Sequence, residues 1–239
     1  MPTLASGSTY ADCIRIIKKH DAWDITPKSI KERLLKGTKE TENVTIDEFE
    51  SFNQRFFGLV FKDSTIYPAV KAKAKQLGFD CKMFSEYTCA EAKEAGSVIA
   101  SVALNAERMG EPIKPPVVLM SSGETVVTVG KEKGVGGRNQ EYCVQAAMKI
   151  AGSKKIVIGA VDTDGTDGPG GLNVEGAPTC LAGAIVDGYT LSEAESKGLY
   201  LEGALKTHGT SEPLWKLGCG VSASANVSAL DLRIILIME

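Results

Sequence analysis

The polar residues suited to chemistry gather in two stretches. Residues 122–141, SGETVVTVGKEKGVGGRNQE, set Arg138, Asn139, Gln140 and Glu141 behind a glycine-rich turn, 133–138. Residues 162–168, DTDGTDG, place Asp162, Asp164 and Asp167 after an apolar run. A glycine-rich turn that opens a helix exposes backbone N–H groups at the helix's positive end, and together these attract anions. Arg138 in the first helical turn adds planar, two-pronged donors matched to phosphate or carboxylate. The aspartates lie beyond the carboxyl end of an expected strand, where α/β sheets bind ligands. Carboxylates there can hold Mg2+ together with water and nucleotide phosphates. A plain structural reading stands beside each: a hairpin-to-helix turn for the first, a solvated Asx turn for the second. The turn is neither a P-loop nor a dinucleotide fingerprint with its downstream acid. The acidic loop lacks the helix and late glutamate of an EF-hand.

Holding these residues requires a sheet and its helices. A Ser/Gly-rich segment, 4–9, leads into a helix over 10–20, with Ile14, Ile16 and Ile17 on its apolar side. Thr26-Pro27 reads as the start of a second helix that ends at Gly37, and residues 38–48 as a polar connection. A buried strand is expected over 55–61, a helix from Ser64 or Thr65 to Leu77, and a strand over 79–84. Thr88-Cys89-Ala90-Glu91 matches the capping box and predicts a long helix to about Met109. EPIKPP, 111–116, breaks the chain and marks a domain boundary. Strands are expected over 117–120, 125–129, 155–161, 184–186 and 232–237, with helices over 138–151 and from Thr190 to Gly198. This alternation predicts an α/β fold with a mixed sheet.

Composition narrows the partners. At 239 residues with 43% hydrophobic content, the chain is long enough for one large domain or two small ones. A formal net charge of −3 argues against a dominant nucleic-acid or membrane surface. No apolar run reaches membrane-span length, and the first residues lack signal-peptide character, so the expected compartment is the cytoplasm. The six cysteines are scattered without a CxxC pair, which predicts buried, reduced thiols. With only His20 and His208, neither a zinc set nor a cysteine–histidine nucleophile is well supplied.

Four motifs, in order, resemble those of the class II glycerate kinases. They are Ser121-Ser122-Gly123-Glu124-Thr125, then Gly136-Gly137-Arg138-Asn139-Gln140-Glu141, then Asp164-Gly165-Thr166-Asp167-Gly168-Pro169, and Ala182-Gly183-Ala184. The corresponding family patterns read SGGET, GGRNQE, TDGxDGP and AGA, in the C-terminal MOFRL domain of the glycerate 2-kinase family. LASGST at 4–9 is similar to an upstream family segment, so the resemblance covers nearly the whole chain. It implies that residues 1–115 are the closing βαβ part of a large Rossmann-like kinase domain and that 116–239 are the MOFRL domain. It also implies that a catalytic lysine lies in an N-terminal half upstream of this sequence.

Carried over by residue, the resemblance makes Arg138 catalytic or phosphate-facing. Gly123, Glu124, Gly136, Gly137, Asn139 and Asn226 become substrate or nucleotide residues, and Asp164 and Asp167 metal ligands for Mg2+. The implied reaction is transfer of a phosphoryl group from ATP to the 2-hydroxyl of glycerate, with the N-terminal half or a second copy as partner. Departures are Ser122 for a family glycine, residues 223–228 (ASANVS) for TGTNVN, and Thr207-His208-Gly209-Thr210-Ser211 in place of an Asn-rich segment. They keep a second reading open, a non-catalytic MOFRL remnant that binds ligands or partners. Hydroxypyruvate reductase, an older name in the family, finds no dinucleotide fingerprint here.

Overall fold

The computed structural model describes residues 5–53, 63–224 and 230–239, with the side chains of 63–65 excepted. The chain divides into two compact units, residues 1–59 and 60–239.

The first unit holds α1 (Tyr10–Lys19), α2 (Lys28–Lys36), a 3-10 turn (Lys39–Thr41) and α3 (Ile46–Ser51). Thr9 and Asp12 close a capping box on α1: the Thr9 hydroxyl accepts the Asp12 N–H at 3.2 Å, and the Asp12 carboxylate accepts the Thr9 N–H at 3.1 Å. Tyr10 ties α1 to the turn through its hydroxyl, which donates to the Thr41 carbonyl at 2.7 Å. None of the described residues here is buried. Thr26 does not cap α2; its hydroxyl donates to the Ala22 carbonyl instead, at 2.7 Å.

The second unit is a six-stranded mixed α/β sheet in the order β1-β2-β6-β3-β4-β5. Its strands are β1 (Asp80–Ser85), β2 (Val117–Gly123), β3 (Ile156–Asp162), β4 (Gly183–Asp187), β5 (Gly220–Val221) and β6 (Asp231–Ile237). β1 and β2 run parallel, whereas β6 lies antiparallel to both β2 and β3. The expected division at 115/116 therefore falls between two paired strands of one sheet. Along β6, Asp231, Arg233, Ile235 and Ile237 are buried in alternation with half-buried Leu232, Ile234 and Leu236. The first set faces the layer of α5 (Ala92–Met109) and α6 (Arg138–Lys149); the second packs with Tyr67, Val70 and Ala74 of α4 (Asp63–Gln76). α5 and α6 cross so closely that a Cβ on Gly96 would strike the Tyr142 carbonyl.

Several expected elements differ. Residues 125–129 do not form a strand; Val126 makes a single bridge to Glu91. The capping box at Thr88 does not form, because both partners are used elsewhere: Thr88 N–H donates to the Ser122 carbonyl, and Glu91 accepts the Thr128 N–H and hydroxyl, each at 2.9 Å. α5 consequently starts at Ala92. The sequence reading did not anticipate α3, α8 (Leu201–Thr207), α9 (Ser211–Lys216) or β5; the other short helix, α7 (Thr190–Ser196), was expected. The strand expected over 55–61 lies outside the described residues.

Candidate functional site

α6 opens directly behind the glycine-rich turn, so Arg138 is its first residue. The turn is fastened on two sides. Gly134 N–H donates to the Thr207 carbonyl at 3.0 Å, and Ser211 N–H to the Val135 carbonyl at 3.0 Å. On the other side the acidic loop closes over Gly136 and Gly137: a Cβ on Gly137 would collide with the Asp167 backbone and carboxylate. The two stretches singled out in the sequence therefore touch, and these glycines permit that contact.

Their relation differs from an open anion cradle. Asp167 is buried and serves α6 as a cap from a distance: Oδ1 accepts the Asn139 N–H at 3.1 Å and Oδ2 the Gln140 N–H at 3.0 Å. Burial pushes its pKa up to about 6, against the lowering effect of these bonds. Gln140 completes the joint, donating to the Asp167 carbonyl at 3.1 Å and accepting the Ser211 hydroxyl at 2.7 Å. Two of the N–H groups that would have received an external anion are thus already engaged by a carboxylate of the chain itself.

Arg138 sits among three carboxylates. Its Nε donates to both oxygens of Asp231 at 3.0 Å, Nη2 donates to Asp162 Oδ2 at 2.6 Å, and Glu124 Oε1 lies 3.5 Å from Nη2. Burial works against its charge, but Asp231, Asp162 and Glu124 prevail and hold its pKa above the ordinary value. Desolvation raises the pKa of Asp162, with Arg138 and the Asp164 N–H opposing. Asp231 is fully buried and also accepts Asn139 Nδ2 at 2.9 Å and Arg233 Nη2 at 2.6 Å. Arg233, itself fully buried, lies 5.2 Å from the Tyr142 ring centroid and donates to Thr125 Oγ1 at 2.9 Å. Among the described residues its Nε and Nη1 have no hydrogen-bond partner.

A cleft of about 740 Å³ opens beside this network. Glu124, Gly136, Gly137 and Arg138 line it, together with Glu141, His208 and an apolar side that includes Val126 and Val129. Gly123, Asn139, Asp164 and Asp167 are not on its wall; Asn226 lies outside the described residues. Gly123 has a structural role: at φ 115 it passes so near Thr88 that a Cβ would come within 2.5 Å of its N and O atoms. Sequence reasoning missed Asp231, Arg233 and the Glu141–His208 pair. A basic residue at an inward position of the apolar run LRIILI was the available signal for Arg233.

The carboxylates do not form a cage for Mg2+. Asp167 is turned into α6, Asp162 toward Arg138, and Asp164 Oδ1 accepts both the N–H and the hydroxyl of Thr166 at 2.8 Å. No group of three or more His, Cys, Asp or Glu suited to a metal occurs among the described residues.

A family model described as the MOFRL family matches residues 117–226. The chain is 35% identical over 217 residues to a glycerate 2-kinase of Pyrococcus horikoshii, covering 91% of this chain and 47% of that protein. It is 33% identical to a D-glycerate 2-kinase of Thermotoga maritima, covering 82% and 42%. The crystal structure of a glycerate kinase from Thermotoga maritima superposes with a TM-score of 0.75 at 29% identity, covering 98% of this chain and 51% of that one. The chain spans about half the length of these relatives. It carries a MOFRL-family domain and is a homologue of the glycerate 2-kinases over that half.

Proposed function

We propose that the chain supplies one wall of a glycerate 2-kinase site, in which D-glycerate and ATP give 2-phosphoglycerate and ADP. The observation that carries this reading is Arg138, fixed by Asp162 and Asp231 at the edge of the cleft. Phosphoryl transfer depends on placing the reactants in line and neutralising phosphate charge more than on covalent chemistry. An arginine whose fork is already oriented spends little entropy in meeting a phosphate oxygen. Glu124, exposed beside it, adds a carboxylate to the same wall. Mg2+ would accompany the nucleotide phosphates and require one or two protein carboxylates, for which Asp164 is the candidate from its loop.

In this reading residues 1–115 close a kinase domain whose remaining part, with its lysine, corresponds to the relatives' N-terminal half, and activity requires that half. Six free cysteines fit a reducing cytoplasm. No described helix is long and apolar enough to cross a membrane.

The test is ATP-dependent phosphorylation of glycerate by the chain alone and with the N-terminal half of the Pyrococcus relative added. We expect turnover only in the mixture, and loss of about 100-fold or more in Arg138→Ala. Turnover by the chain alone would refute the need for the second half.

A second reading is favoured by the Asp167 cap, which leaves the α6 N-terminus self-satisfied: a remnant whose former site is now structural. Calorimetry separates the two. A remnant binds neither Mg·ATP nor glycerate.

A further inference from the structure

One pair on the cleft wall belongs to neither the arginine network nor the acidic loop. His208 Nδ1 lies 2.8 Å from Glu141 Oε1, and both residues line the cleft. The chain builds this contact from two elements. Glu141 stands in the first turn of α6, where the helix's positive end favours a carboxylate. His208 ends α8 in the left-handed conformation, φ 58, a position more readily filled by glycine or asparagine. The glycine-rich turn presses on the same backbone, so that a Cβ on Gly136 would come within 2.5 Å of the His208 carbonyl. The imidazole is thereby held against a carboxylate that is almost wholly buried.

We propose that His208 is the proton acceptor of the cleft, oriented by Glu141, and that it takes the proton from the hydroxyl of a hydroxy-acid substrate. This rests on the phosphoryl-transfer reading above. A carboxylate on Nδ1 fixes the tautomer that carries its proton there and leaves the lone pair on Nε2. Among the described residues Nε2 has no hydrogen-bond partner. The substrate hydroxyl proton passes to Nε2 while its oxygen forms the new bond to the terminal phosphorus of a nucleoside triphosphate. The bond from that phosphorus to the bridging oxygen breaks, and nucleoside diphosphate leaves. Glu141 stabilises the imidazolium until it yields the proton to water.

The charged surroundings permit this. Desolvation raises the Glu141 pKa and His208 and Lys93 oppose it, while Glu91 adds to the rise. Arg138, Lys133, Glu124 and Glu132 are the other charged groups on the cleft wall. His208 is the catalytic residue here and Glu141 the positioning residue.

The experiment uses the complemented assay and nuclear magnetic resonance of the whole chain. His208→Gln should lower turnover by about 100- to 10,000-fold and abolish the acid limb of the pH profile. Glu141→Gln keeps the size of the side chain and loses the carboxylate that orients the ring, so turnover should fall with KM little changed. A fall of less than about threefold in His208→Gln, with Arg138→Ala still inactive, overturns the proposal and leaves the kinase reading in place. Nitrogen-15 spectra of the whole chain give a second readout that does not depend on turnover. With only two histidines, the His208 ring is assigned by comparison with His208→Gln. A bare Nε2 at neutral pH whose resonance moves on adding glycerate supports the proposal; the opposite tautomer, or a resonance that glycerate does not move, overturns it.

Discussion

Asp231 is where Arg138, Asn139 and Arg233 converge, and it is the first residue of β6. Removing it would leave fully buried Arg233 without its counter-charge, while Arg138 would keep only Asp162 and Glu124. We expect Asp231→Ala to cost about 3–5 kcal/mol, the range for breaking a buried pair from one side, measured as a shift in the urea midpoint. Arg233→Met should cost much less, because Asp231 keeps Arg138 and the Arg233 Nε and Nη1 groups have no bonds to lose. Equal losses in the two variants would refute this ordering, and additive losses in the double variant would show that the charges do not act as a network. Arg138 was readable in the sequence because its glycine-rich approach is local. Asp231 was not: it meets Arg138 only through the pairing of β6 with β2 and β3, and no spacing in the chain encodes that pairing.

The join between the acidic loop and α6 works as a unit of helix and loop. Asp167 has a folded-state pKa of about 6, above the usual value near 4, so the native state holds its proton more tightly than the unfolded chain. Stability from this group is therefore fully present below about pH 4 and is lost as pH rises toward about 6, on the order of 2–3 kcal/mol. Subtracting the stability of Asp167→Asn from that of the wild type at each pH should give a difference that declines over that window and is flat above it. A second expectation concerns the α5–α6 crossing. Glycine inside a helix is intrinsically worse than alanine by about 1 kcal/mol, yet Gly96→Ala should destabilise, since its Cβ meets the Tyr142 carbonyl. A stabilised variant, by thermal melting, would show that the helices can part without loss. At this scale the long periodic elements, α5, α6, β3 and β6, were apparent from sequence. Thr88 misled because tertiary partners outbid a local cap, and α8 and α9 were missed as short helices without side-chain caps.

For the molecule as a whole, the first unit lacks any buried described residue, and Ile16, Ile25, Leu35, Ile46 and Phe52 remain exposed. In the second unit β1 is an edge strand with no further strand paired to it among the described residues. Exposed apolar surface favours association. Sedimentation velocity should show concentration-dependent self-association of the chain alone, relieved by the relatives' N-terminal half; a clean monomer at all concentrations would count against it. The mixed α/β class was evident from the order of strands and helices, but the position of β6 was not. That position governs the order of assembly during synthesis. β6 follows every other strand in the sequence and yet lies between β2 and β3. As the ribosome delivers the chain, β1–β2 and β3–β4–β5 emerge as two separate half-sheets, each with a bare edge. Asp231, which shares Arg138 with Asp162, arrives with the same strand, so the nascent chain holds two open edges and an incomplete arginine network until residues 231–237 are made. Chaperone capture in that interval is a need built into the topology.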